Sequence, residues 1–106
     1  MSRQEFIEQV LTLYLTAEGT PGRLSRSDRQ LAGAWYDQAV TMDEIEIVLI
    51  LTIARRRFRD PALPPLAPIR SLSYFVPVLA EVRSNSIPVD YVSYLRRKLT
   101  RTGTGI

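Results

Sequence analysis

Cysteine and histidine are both missing from this 106-residue chain. Without cysteine there are no disulfides, no thiol chemistry and no zinc–cysteine sites. Without histidine the commonest general base and the commonest metal ligand are gone. Lysine occurs once, at Lys98, so the basic side chains are almost all arginine. No apolar run approaches the roughly 20 residues needed to span a bilayer. The opening "MSRQEFIEQV" has no signal-peptide pattern, because glutamates interrupt it before an apolar stretch forms. There is no Gly-rich phosphate loop, no G-x-S-x-G and no paired metal-ligand spacing. The carboxylates sit mostly at helix starts, where capping and dipole effects account for them. These absences point to a cytoplasmic protein that is not an enzyme and uses no metal or cofactor.

What is present describes a folded domain. Hydrophobic residues make up 45% and charged residues 24% of the chain, which is ordinary for a globular protein. The length fits one domain with a core that needs no staples. Net charge is +3, and its distribution says more than its size. Residues 1–54 hold four basic and eight acidic side chains, a balance of −4. Residues 55–106 hold ten basic and three acidic, a balance of +7. Such asymmetry suits an anionic partner for the C-terminal half.

Five helices are expected and no strand. In "SRQE", Ser2 caps and Glu5 reaches back, forming a capping box. Phe6, Ile7, Val10, Leu11, Tyr14 and Leu15 then recur at helical spacing, and Gly19 suits the stop. A second start is "SDRQ", with Ser27 as cap, Asp28 in the first turn and Gln30 closing the box. Leu31, Ala34 and Trp35 form its apolar side, and Gly33 lets a neighbouring helix come close. In "VTMDEI", Thr41 caps, Glu44 closes the box, and Val40 staples against Ile45. The segment that follows, Met42 to Phe58, is rich in β-branched residues. Its length and caps nevertheless decide for a helix over a strand. It is apolar nearly all round, so it should be central and covered on several sides.

That helix ends in "RRRFRDP". "PALPPLAP" then reads as an ordered polyproline-like strap anchored by Leu63, Leu66 and Ile69. "SLSYFVPVLAEV" is a fourth helix, capped by Ser71 or Ser73, with Pro77 tolerated near its start. "SNSIPVD" is a turn. "VDYVSYLRRKLT" is the last helix, with Val89, Val92, Leu95 and Leu99 on one side. The fold class is therefore all-α, a single compact domain over residues 1–102 with a proline-rich crossing. Residues 103–106 are expected to fray.

Three arginine groups carry what functional signal there is. Arg23, Arg26 and Arg29 flank the start of the second helix. Arg55, Arg56, Arg57 and Arg59 end the third. Arg96, Arg97, Lys98 and Arg101 end the last. Arginines at a helix C-terminus interact favourably with the helix dipole. Where two such ends converge, they also form a patch able to neutralise phosphates. Arg55 and Arg59 share a face, whereas Arg56 and Arg57 point elsewhere. Arg70 precedes Tyr74 and Phe75. It reads first as a pin for the strap and second as a base-stacking group. Trp35–Tyr36 reads as core plus a partly exposed tyrosine.

"SDRQLAGAWYDQAVTMDEIEIVLILTIARRRF", the strap and "PIRSLSYFVPVLAEV" resemble small helical proteins and domains of bacterial mobile elements, over roughly residues 27–83. Their plan is similar to the C-terminal helical domain of DnaD-type primosome proteins. That resemblance implies a replication accessory that binds DNA and protein partners. The nearest stretch to that family's DNA-contacting motif is "YVSYLRRK", with Tyr91, Tyr94, Arg96, Arg97 and Lys98.

The expected function is a non-catalytic nucleic-acid-binding accessory protein, with DNA or RNA as partner. Its expected contact residues are Arg55, Arg56, Arg59, Arg70, Tyr94, Arg96, Arg97, Lys98 and Arg101. The alternative is a helical protein-interaction module, docking through the strap or the exposed side of the first helix and forming a homodimer.

Overall fold

Two of the expected capping boxes open helices as read in the computed structural model, which describes residues 1–84 and 87–101. The helices are α1 (Arg3–Thr16), α2 (Arg26–Asp37), α3 (Met42–Arg57), α4 (Val76–Ser84) and α5 (Val89–Arg101), with a 3-10 turn at Leu72–Phe75 before α4. No strand occurs among the described residues. The frayed tail expected at 103–106 lies outside them, as do two residues of the turn before α5.

α1 and α3 start as expected. The Ser2 and Thr41 hydroxyls accept from the N–H groups of Glu5 and Glu44, and both glutamates reach back to the cap N–H. α2 differs. Its cap is Ser25 rather than Ser27, and Asp28 rather than Gln30 closes the box. The two readings overlap in "SRSDRQ". The tertiary fold selects between them, because Asp28 has a second task. One of its oxygens accepts from Ser25 N at 2.9 Å, and the other accepts from Leu72 N at 2.9 Å, 44 residues away. This carboxylate is only 3% exposed. It ties the start of α2 to the start of the 3-10 turn. The turn thus has its first donor satisfied from outside, and neither Ser71 nor Ser73 caps it. Pro77 is the second residue of α4, where no intrahelical N–H is required.

α1 ends at Thr16, three residues before Gly19, which sits at φ +87° in the following turn. α2 ends in a Schellman motif: Val40 N–H donates to Trp35 O and Ala39 N–H to Tyr36 O, each at 3.0 Å. The left-handed position, φ +61°, is filled by Ala39 instead of glycine.

α3 is the central element. Its N-terminal half (Ile45, Val48, Leu49) packs into a cluster with Phe6, Val10, Leu11, Tyr14, Trp35, Leu72 and Phe75. Its C-terminal half (Ile50, Leu51, Ile53, Ala54) packs against Val92, Leu95 and Leu99 of α5. Val78 and Val82 of α4 touch both clusters and join them into one core. A helix buried on so many sides cannot be amphipathic, which accounts for the all-round apolar sequence. Trp35 is buried and Tyr36 is partly exposed, as expected. Gly33 is buried against α1, where an added Cβ would stand 2.5 Å from the Arg3 guanidinium.

Two apolar expectations fail. Val89 is 79% exposed, since α5 buries only Val92, Leu95 and Leu99. Of the strap's three expected anchors, Ile69 alone is buried, whereas Leu63 and Leu66 are exposed. The strap is held mainly by polar bonds, and its composition explains why. Prolines contribute carbonyls without N–H groups, so the donors must come from elsewhere.

Candidate nucleic-acid interface

The donors for the strap are the arginines that end α3. Arg56 Nη1 donates to Ala67 O at 3.0 Å and to the Tyr74 hydroxyl at 2.7 Å, with its guanidinium 5.4 Å from the Tyr74 ring centroid. Arg59 Nη2 donates to Pro64 O at 3.0 Å. Asp60 adds a local turn, accepting from Ala62 N at 2.9 Å. The pin expected of Arg70 is therefore supplied by Arg56 and Arg59. Arg70 itself is exposed and has no hydrogen-bond or ionic partner among the described residues.

The other two arginines of that group meet carboxylates. Arg55 forms a two-pronged pair with Glu81 of α4, with Nη1 to Oε2 at 2.8 Å. The hydrogen bonds to Glu81 raise the Arg55 pKa, and those to Arg55 lower that of Glu81. Arg57 pairs with Glu18 and reaches toward Leu99 O of α5 at 3.5 Å. Arg55, Arg56 and Arg59, expected as phosphate contacts, thus each have at least one guanidinium nitrogen engaged inside the fold, while Arg59 Nε is buried without a hydrogen-bond partner among the described residues. Arg56 and Arg59 bind neutral carbonyls, however, so their charges still add to the local field.

The C-terminal ends of α3 and α5 do converge. Besides the approach of Arg57 to Leu99, the Lys98 ammonium lies 4.1 Å from the Phe58 ring centroid. Lys98 is half-buried and partly spent on that ring. Arg96, Arg97 and Arg101 are exposed, and their guanidinium groups have no hydrogen-bond or ionic partner among the described residues.

On a helix of about 3.6 residues per turn, the burial of Val92, Leu95 and Leu99 fixes which side chains face out. Tyr91, Tyr94, Arg97 and Arg101 follow one another at spacings of three, three and four, making one exposed stripe. Tyr91 and Tyr94 are 48% and 43% exposed. Their rings are stacked, with centroids 6.5 Å apart and planes 25° from parallel. By the same geometry Lys98, packed on Phe58, falls between Tyr91 and Tyr94 in angle, whereas Arg96 lies toward the opposite side of the helix. Tyr91 is the residue that selection from sequence leaves out. Its signal is the i, i+3 spacing to Tyr94, one turn ahead of the cations.

The third arginine group is divided. Arg29 pairs with Glu8 of α1 at 2.7 Å, while Arg23 and Arg26 are exposed without such partners among the described residues. α2 packs on α1 and the 3-10 turn. No interaction among the described residues joins this group to the α5 stripe.

Among the described residues no group of His, Cys, Asp or Glu is placed to hold a metal, and no helix is long and apolar enough to cross a membrane. Comparison of the chain with protein-family models, curated proteins and solved structures gives no match.

Proposed function

We propose that this chain is a non-catalytic nucleic-acid-binding protein that grips phosphates with the C-terminal half of α5. The observation that carries the reading is the contrast between two arginine groups at one end of the molecule. Those of α3 each have a guanidinium nitrogen bonded within the fold, whereas the guanidinium groups of Arg96, Arg97 and Arg101 are exposed and have no partner among the described residues. Arginine's fork matches phosphate oxygens, and a desolvated phosphate contact is stronger where further positive charge stands behind it. Arg56 and Arg59 supply that charge without competing carboxylate partners. The resemblance to DnaD-type domains supports the same reading and suggests a replication or mobile-element setting. The test is Arg96→Ala/Arg97→Ala/Arg101→Ala, which spares the packing of Lys98 on Phe58. Affinity should fall, and the slope of log K against log salt should flatten by about 2 to 3, at ~0.7–0.9 for each phosphate no longer neutralised. Unchanged affinity and slope would overturn the proposal.

A second reading, protein docking, is favoured by the apolar concavity where α1 meets the α2–α3 turn. Met1, Phe6, Tyr36, Val40 and Met42 line it, with Met1 62% exposed. Sedimentation of the purified chain at several concentrations checks the homodimer form of that reading.

A further inference from the structure

We infer that the α5 stripe takes single-stranded nucleic acid, with unpaired bases stacking on the Tyr91–Tyr94 pair and the phosphates running past Arg97 and Arg101. The inference deepens the phosphate-gripping reading and rests on it.

Three features of α5 carry it. The first is the ring pair. Two exposed rings, with planes 25° from parallel and centroids 6.5 Å apart, stand side by side on one face of the helix. They offer π-faces that a base can extend. In a duplex those base faces are already covered by neighbouring pairs, so only an unpaired strand can use them.

The second is the order of side chains along the helix. Tyr91 to Arg101 spans ten residues, about 15 Å at ~1.5 Å per residue. That length accommodates four to five nucleotides at about 3.4 Å each. Aromatics occupy one end and guanidinium groups the other, so bases and backbone can engage the same stripe.

The third is what the exposed face of α5 lacks for reading a duplex. A recognition helix meets base edges with polar side chains near its N-terminus. Here that end presents Asp90 and the two tyrosines. The Asp90 carboxylate would repel the phosphates lining a groove, whereas at the base-stacking end of a single strand it stands away from the backbone.

The experiment compares a labelled mixed-sequence 12-mer as single strand, as duplex, and as an abasic strand carrying the same phosphates. It is run by fluorescence anisotropy at low salt with the full chain. The single strand should bind about tenfold or more tighter than the abasic strand, since stacking contributes about 1–3 kcal/mol per base. Tyr91→Ala/Tyr94→Ala should lose that advantage while keeping its binding to the abasic strand. Tyr91→Phe/Tyr94→Phe should retain it. Both positions are exposed, and an unchanged melting temperature verifies the fold of each variant. Equal binding of base-bearing and abasic strands by the native chain overturns the inference and leaves the phosphate grip standing. So does duplex binding that is as tight as single-strand binding and indifferent to the tyrosines. No binding of any oligonucleotide overturns both.

Discussion

Replacing Asp28 with alanine should destabilise this protein far more than any ordinary cap deletion. The carboxylate is 3% exposed and accepts two backbone N–H groups at 2.9 Å, Ser25 N nearby and Leu72 N across the fold. Loss of the local capping interaction costs about 1 kcal/mol. Leu72 is 2% exposed, so its N–H would be left buried without an acceptor. That adds a further ~1–3 kcal/mol. The expected total is about 3 kcal/mol, a large fraction of a stability that for small domains is ~5–15 kcal/mol. It should lower the melting temperature by about 12 °C or more. Ser25→Ala is the control. It removes the hydroxyl that caps α2 through Asp28 N at 3.2 Å and leaves the Leu72 bond intact. Urea unfolding followed by circular dichroism measures both variants. The gap between them should be about 2 kcal/mol, the contribution of the long-range bond. Equal losses, within about half a kcal/mol, would refute the reasoning, because Asp28 would then act as a cap and nothing more.

Two further effects follow from the backbone and the titrating groups. Ala39→Gly should stabilise the chain by about 0.5–1 kcal/mol, seen as a higher urea midpoint, because it relieves a left-handed alanine at φ +61°. Stability should be flat across neutral pH and fall at both extremes. The pKa values of Glu5, Asp37 and Glu81 are lowered by hydrogen bonds to Ser2, Arg3 and Arg55. Their contributions are present above the unfolded carboxylate range of about 4 and are lost as pH falls through the depressed values. Burial, reinforced by the Asp28 charge, raises the pKa of the Tyr14 hydroxyl. Its contribution is present below about pH 10 and is lost as pH rises through the raised value. A melting-temperature profile against pH checks this. A fall between pH 6 and 8 would contradict it, since the chain has no histidine to titrate there.

The parts of the fold that could be read from sequence are those set by neighbours in the chain. The boxes at Ser2/Glu5 and Thr41/Glu44 are local, and both helices begin where those residues place them. The all-round apolar run of α3 directly implied a central helix. Sequence alone misplaces the start of α2 at Ser27 instead of Ser25, because the choice depends on Leu72, which is distant in sequence. The same holds for the arginines. Nothing near Arg55, Arg57 or Arg56 in sequence discloses Glu81, Glu18 or Tyr74 as partners. Leu63 and Leu66 looked like anchors by type, but proline geometry and the carbonyl bonds to Arg56 and Arg59 set the path of the strap instead. The α5 stripe lies between these cases. Its spacing is written in "YVSYLRRKLTR", while the freedom of Arg97 and Arg101 is evident only once the acidic residues are placed elsewhere.

The most direct measurement is the affinity of the native chain for a labelled single-stranded oligonucleotide at a series of salt concentrations. A phosphate grip of three or four cations predicts binding that weakens with salt at a slope of about −2 to −3 on the log–log plot. Absence of binding at low salt, or binding that does not respond to salt, would contradict the central claim that the exposed arginines of α5 are there to hold phosphate.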